Sequence, residues 1–169
     1  PGTYTDTTLG KNGVNWYFYD GAIINTPGAI WNLSAISFDV TGHGEFITTD
    51  TNGRIFLATG ACTFLLQGKR AEKTAGSSVN MLANSAFSGT VWIDMLEDIA
   101  SASTNVNIQL SGNGNMYVWA KRITSSGGAN ISPNTTVNVT NKMYVYAEEI
   151  INTGTSAAGG VILAQGGYC

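Results

Sequence analysis

Two eight-residue segments of this chain match at five positions, and their spacing limits the folds that the chain can adopt. They read MYVWAKRI at Met116–Ile123 and MYVYAEEI at Met143–Ile150, and they lie 27 residues apart. Trp92 precedes Trp119 by the same 27 residues. The dipeptide Val-Asn also recurs with this spacing, at residues 79–80 and 106–107. A repeat of this length indicates one supersecondary unit used several times.

Apolar and polar residues alternate in many short runs, which is the period of a half-buried β-strand. Val106, Ile108 and Leu110 form one such run, and a Gly- and Asn-rich turn separates it from the segment that begins at Met116. Another pair of strand-like runs flanks Asp50–Gly53. This turn contains Asn-Gly, which tolerates the positive φ of tight hairpins. These patterns predict β-hairpins.

The chain is predicted to form a single all-β domain over residues 1–169, because no linker interrupts it. The predicted fold is an antiparallel β-sandwich or jelly-roll-like fold built from hairpins, since the strands come in pairs joined by tight turns. The alternative is a β-solenoid in which each 27-residue unit forms one coil. Residues 94–100 are the one candidate for a short helix, because they contain no helix breaker.

The charge pattern argues against two classes of partner. Charged residues make up 11% of the chain, and the formal net charge is −3. The only adjacent basic pairs are Lys69-Arg70 and Lys121-Arg122, so we expect no nucleic-acid partner. No apolar stretch approaches the ~20 residues of a membrane-spanning helix, so we expect no membrane span. A weakly charged surface offers little repulsion between copies, which is compatible with assembly.

No residue pattern marks a catalytic, cofactor or metal site. His43 is the only histidine, and no Gly-x-Ser-x-Gly motif accompanies it. Glu97-Asp98 and Glu148-Glu149 are adjacent carboxylates, which point to opposite faces of a regular strand and make poor acid/base pairs. The sequence also lacks metal-ligand spacing. We therefore predict a protein that is not an enzyme and has no cofactor.

Cys62 and Cys169 are the only cysteines, and two interpretations of them are open. They could form one disulfide, which would hold the C-terminal end against the rest of the fold. They could also be unlinked, because Cys62 lies in the run ACTFLL, which is typical of a buried core strand.

Aromatic residues at alternate positions are the candidate assembly or glycan contacts. They are Tyr17, Tyr19, Tyr117, Trp119, Tyr144 and Tyr146. Exposed rings of this kind could stack on sugars or pack against another subunit, but their bulk favours burial in the core. The opposite strand faces, with Val118 and Val145, are also apolar. The repeat segments are therefore predicted to be covered twice, by the core and by a neighbouring subunit.

In its Thr, Asn, Gly and aromatic-strand composition the chain resembles virion accessory proteins of bacteriophages, such as capsid decoration or tail components. The resemblance is one of composition over the whole chain. It implies a structural, self-assembling subunit that packs with copies of itself or with a capsid or tail protein, at a virion or an extracellular surface. Subunits of extracellular filaments show similar features. The alternative function is a carbohydrate-binding module or adhesin that uses exposed Trp and Tyr.

Overall fold

The computed structural model describes residues 3–4, 13–132 and 142–154. These residues form a β-solenoid of about five turns, in which every described strand pair is parallel. We find no helix in the described ranges that has the length and apolar character to cross a bilayer. The all-β class predicted from the sequence is confirmed.

The strands lie on three faces of the solenoid. The first face contains β2 (Trp16–Phe18), β5 (Phe38–Gly42) and β8 (Thr63–Gly68). The second face contains β1 (Thr3–Tyr4), β3 (Ile23–Thr26), β6 (Glu45–Thr48) and β9 (Arg70–Lys73). The third face contains β4 (Ala29–Ser34), β7 (Arg54–Thr59), β10 (Met81–Ala83), β12 (Ile108–Leu110) and β14 (Ile131–Ser132). Three longer strands run along the first and second faces together: β11 (Thr90–Ser101), β13 (Asn115–Ser125) and β15 (Lys142–Asn152).

The corner between the first and second faces is built in two ways. In the early coils a glycine ends the strand, and Gly42 has a φ of 107°, which a residue with a Cβ rarely adopts. In the later coils the strand continues through the corner. β11 pairs with β8 before this point and with β9 after it, and a β-bulge lies between Met95 and Asp98. The bulge lies in β11, whereas β13 and β15 pass the same corner in unbroken register with each other.

The predicted antiparallel sandwich or jelly-roll-like fold is wrong, and the solenoid alternative is right. The two strands that flank Asp50–Gly53 do not pair with each other, because β6 pairs with β3 and β9 while β7 pairs with β4 and β10. An Asn-Gly turn can end a hairpin or turn a corner between two sheets, so it did not distinguish the two folds. The predicted helix over residues 94–100 is also wrong, since these residues belong to β11.

The internal repeat is confirmed as the stacking register of the coils. Met116 pairs with Met143, and Tyr117 pairs with Tyr144. Asn80 Nδ2 donates a hydrogen bond of 2.9 Å to Asn107 Oδ1, 27 residues later. Trp92, however, pairs with Tyr117 and not with Trp119, because the coil between β11 and β13 is shorter than 27 residues. The repeat is therefore real, but its period varies from coil to coil.

The interior changes character along the solenoid. The early coils bury aromatic rings that contact one another, and these are Trp31, Phe38, Phe46, Phe56 and Phe64. The later coils bury aliphatic side chains on the long strands, including Val91, Ile93, Ile99, Val118 and Ile123. Because strand residues alternate between the two sides, each inward set determines which residues face outward.

Candidate functional site

Five aromatic side chains lie on the outer side of the first face in the last three described coils. We define this aromatic strip as Trp92, Tyr117, Trp119, Tyr144 and Tyr146. They face outward because their neighbours Val91, Ile93 and Val118 are fully buried. Trp119 is 48% exposed and Tyr146 is 62% exposed. The structure thus brings together four of the six predicted contact residues and adds Trp92.

One column of the strip is a stack of rings. The ring centroids of Trp92 and Tyr117 lie 5.8 Å apart with 12° between the planes, and those of Tyr117 and Tyr144 lie 5.3 Å apart with 5° between the planes. Parallel strands lie about 4.8 Å apart, so aromatic residues in register stack along the solenoid axis. Both faces of the Tyr117 ring are therefore covered by its neighbours, and the column presents ring edges outward.

The second column combines aromatic and polar groups. Asp94, Trp119 and Tyr146 are in register on β11, β13 and β15. Gln67 is in register with Asp94, and its Nε2 donates a 3.1 Å hydrogen bond to Asp94 Oδ2. The carboxylate beside Trp119 is therefore held in one orientation by the preceding coil.

The prediction that these aromatic rings are buried in the core is wrong for the strip. The opposite strand faces do fill the interior, since Val118 is fully buried and Ala120 is 6% exposed. A strand that is apolar on both sides can turn either side toward the core. The sequence therefore did not show which side faces inward. Within the described chain the outer apolar side has no covering element.

Tyr17 and Tyr19 lie apart from the aromatic strip, in the first described coil. They are 60% and 74% exposed, and their rings meet edge to face with centroids 5.0 Å apart. Tyr17 is in register with Thr41 of the next coil. The outer side of the intervening coils carries polar residues such as Thr41 and Gln67, so the six predicted residues form two separate aromatic groups.

The outer side of the second face carries alternating charges. Glu45 is in register with Arg70, and Arg122 is in register with Asp98 on one side and Glu149 on the other. Arg70 Nε lies 2.8 Å from Glu45 Oε2, and Arg122 binds Asp98 through two hydrogen bonds of 3.0 and 2.7 Å. The bonds to Asp98 raise the pKa of Arg122 above its usual value. Residues in parallel register lie side by side on neighbouring coils. If the sign of the charge did not alternate from coil to coil, like charges would therefore lie next to each other.

The adjacent carboxylates lie around one hollow, which the sequence did not predict. Glu97, Asp98, Glu148 and Glu149 surround a volume of about 400 Å³ together with Lys121 and Arg122. Both pairs lie where a long strand turns the corner between the first and second faces, and all four carboxylates line the hollow, so the prediction of opposite faces is wrong for both pairs. Hydrolysis of a glycoside requires one carboxyl kept protonated by apolar surroundings. Four largely exposed carboxylates around two cations favour an ion-pair network instead.

The remaining reactive residues do not lie together. Cys62 is buried, and burial raises the pKa of its thiol to about 11, so the thiol is neutral at physiological pH. Cys169 lies outside the described residues, so the disulfide stays a prediction. His43 is exposed at the corner between β5 and β6. The described residues contain no group of three or more His, Cys, Asp or Glu that could hold a metal ion.

Compared with protein-family models, with curated proteins and with solved structures, the chain shows no significant similarity to any of them. A functional assignment therefore depends on the aromatic strip and on the polar surface beside it.

Proposed function

We propose that this chain is a structural subunit that assembles through its aromatic strip, with copies of itself or with a capsid or tail protein, in a virion or an extracellular filament. The observation that carries the proposal is one continuous outer surface of five large aromatic side chains, of which four are exposed and Tyr117 is half-buried. Contiguous apolar surface of this kind marks interaction sites in soluble proteins. The low charge of the chain adds little repulsion between copies.

The ring geometry favours a protein partner over a sugar for the stacked column. A sugar ring packs on the free face of an aromatic ring, but both faces of Tyr117 are covered by Trp92 and Tyr144. Ring edges and tyrosine hydroxyls remain available, and these are the groups that pack into the desolvated centre of protein interfaces. Tyr and Trp are also the residues that most often dominate interface energetics.

Carbohydrate binding by the strip is the second candidate, and the column containing Trp119 favours it. The indole is about half exposed and stands beside the Asp94 carboxylate, which Gln67 holds in place. An aromatic surface next to an oriented acceptor can bind the apolar side and the hydroxyls of a sugar together.

The size of the particle in solution tests the assembly proposal. We expect the wild-type chain to form oligomers in sedimentation velocity at micromolar concentration. Replacing Trp119 and Tyr146 with serine should weaken association by about 30-fold, which corresponds to ~2 kcal/mol for a lost interface centre. The matched control is Tyr17→Ser, which removes an equally exposed tyrosine from the same face of the first coil and should leave association unchanged.

Two results would contradict the proposal. A wild-type chain that stays monomeric at high concentration would show that the strip does not drive self-association. Equal effects of the strip variant and of Tyr17→Ser would show that any loss of aromatic surface, rather than the strip, alters the particle.

A further inference from the structure

A shallow groove of about 420 Å³ lies on the outer side of the second face, separate from the aromatic strip. It crosses β9, β11, β13 and β15, where Glu72, Ala100, Thr124 and Ile151 are in register. Ala100 forms the low point of this column because its side chain is shorter than those of its neighbours. The volume falls within the roughly 300–1,000 Å³ typical of small-ligand sites.

Hydroxyl groups line one side of the groove. They belong to Thr74 in the coil of β9, to Thr124 and Ser126 in the coil of β13, and to Thr153 in the coil of β15. Thr74 Oγ1 already donates to Thr48 O at 3.4 Å, and each of the other hydroxyls can donate one hydrogen bond and accept others. Neighbouring coils are about 4.8 Å apart, and the coil of β11 has Ala102 at the position equivalent to Thr74 and Ser126. Ile151 and Ala100 provide apolar surface between them.

The charges at the groove are already paired. Arg70 Nη2 lies 3.1 Å from Glu72 Oε2 and forms an ion pair with it, and two of the Arg122 N–H groups bind Asp98. Guanidinium has five N–H donors, so Arg122 keeps further donors for a ligand. The local charge is close to balanced, which disfavours a ligand with several negative charges and suits a neutral polar one.

The backbone of the groove disfavours an extended peptide. β11 and β13 lie between two neighbours in parallel register, so their N–H and C=O groups are used within the sheet. Peptides that bind as an added strand require a free strand edge, and the floor of the groove is a sheet face. A ligand there must bind through its own hydroxyls and apolar surface.

We propose that this groove binds a neutral oligosaccharide that lies along the solenoid axis. Its hydroxyls bond to Thr124, Arg122 and Glu72, while the apolar side of a sugar ring packs over Ala100 and Ile151. The site is independent of the assembly proposed for the aromatic strip, and it gives the subunit a second, adhesive role.

The test uses an array of defined neutral, sulfated and sialylated oligosaccharides, followed by calorimetric titration with the neutral sugars that bind. Ala100→Leu fills the groove from an outward position of β11 and should weaken binding at least about tenfold. Thr124→Val removes one hydroxyl at nearly constant shape and should weaken binding by about fivefold, as expected for one hydrogen bond. Thr63→Leu, an outward substitution on the first face, is the matched control and should leave the affinity unchanged.

Three outcomes would overturn the proposal. The first is that no neutral oligosaccharide binds, and the second is that sulfated or sialylated sugars bind more tightly than neutral ones. The third is that Trp119→Ser abolishes binding while Ala100→Leu does not, which would place the sugar on the aromatic strip. Thermal unfolding confirms that each variant is folded. If Ala100→Leu does not fold, the effect of Thr124→Val on binding tests the proposal instead. The mass of the particle should be unchanged in both groove variants, so this proposal and the assembly proposal can fail separately.

Discussion

The early and the later coils of this solenoid differ in where most of their aromatic residues lie, although Tyr17 and Tyr19 of the first described coil also face outward. In the early coils Trp31, Phe56 and Phe64 pack against one another inside. In the later coils the long strands turn non-aromatic side chains inward, Phe87 is buried beside them, and Trp119 and Tyr146 lie outside. Both arrangements satisfy the same parallel register. The comparison shows that a solenoid can keep its fold while moving its aromatic surface from the core, where it stabilises, to the exterior, where it can bind.

The two regions also differ in how the interior joins the third face to the others. One position lies just before the first inward-pointing residue of each third-face strand. In the early coils the residues at this position are Ile30 and Ile55. In the later coils it is Asn80, Asn107 and Asn130, all fully buried. Their amides donate to carbonyls at the ends of the long strands, at distances of 3.3 Å, 2.9 Å and 2.9 Å. Buried amides of this kind favour one register, because that register gives their N–H groups these carbonyl acceptors.

The sharpest way to break the comparison is to remove one tryptophan from each region. Trp31→Ala should lower the free energy of unfolding by about 3–5 kcal/mol, because the ring is fully buried among other rings. Trp119→Ala should cost less than about 1 kcal/mol in the dilute chain, because half of the side chain is already exposed. Urea unfolding of both variants measures the difference. Equal losses would mean that Trp119 is buried, as its sequence pattern alone suggests.

The asparagine ladder gives the next largest expected effect. Asn107→Leu removes the donor to Thr124 O and the acceptor for Asn80 Nδ2. We expect a loss of about 2–3 kcal/mol, since buried polar atoms are left without partners. The control is Asn32→Leu, an exposed position on the third face that should change stability by less than about 0.5 kcal/mol. If the two variants lose the same stability in urea, the ladder does not hold the later coils together.

Many strand segments were predictable from the sequence, but the partners with which they pair and their direction were not. The similarity of Met116–Ile123 and Met143–Ile150 located β13 and β15, and its alignment agrees with their observed register. Turn residues such as Asn52-Gly53 serve hairpins and solenoid corners equally well, so local signals could not separate antiparallel from parallel pairing. The side that faces inward was also undetermined, because Tyr117 and Val118 are both apolar enough for a core.

The candidate site could not be predicted without the number of residues in each coil, and the sequence does not show where each coil begins and ends. Trp92 joins the strip because it meets Tyr117, and only the shorter coil between β11 and β13 produces that contact. The charged pair of Glu45 and Arg70 likewise depends on a separation of 25 residues. The groove over Ala100 follows from four coils in register. Each of these features requires the spacing of several coils at once, whereas a repeat search detects only the coils whose lengths agree.

Lys73 lies at the boundary between the two regions, and it offers the smallest but most specific test. Its column of inward residues is otherwise neutral, with Thr48 before it and Ser101 after it. Lys73 is fully buried, and its Nζ donates to Asp50 O at 2.8 Å and to Gly53 O. Both carbonyls also accept a second hydrogen bond, from Gly53 N and from Ser78 Oγ. Lys73→Met should therefore cost only about 1–2 kcal/mol at neutral pH.

The pH dependence distinguishes this ammonium from an ordinary surface lysine. Burial lowers the pKa of Lys73, Arg54 lowers it further, and Asp50 partly opposes the shift. Between the lowered pKa and the ordinary value of about 10.4 the unfolded chain binds more protons, so the contribution of Lys73 to stability rises with pH. Thermal unfolding from neutral pH to about pH 10 should then show a widening gap between the wild type and Lys73→Met. Lys69→Met, which removes a partly exposed lysine from the same segment, is the control for the loss of one positive charge. A constant gap for Lys73→Met would mean that its ammonium is hydrated and that the interior at this boundary is open to water.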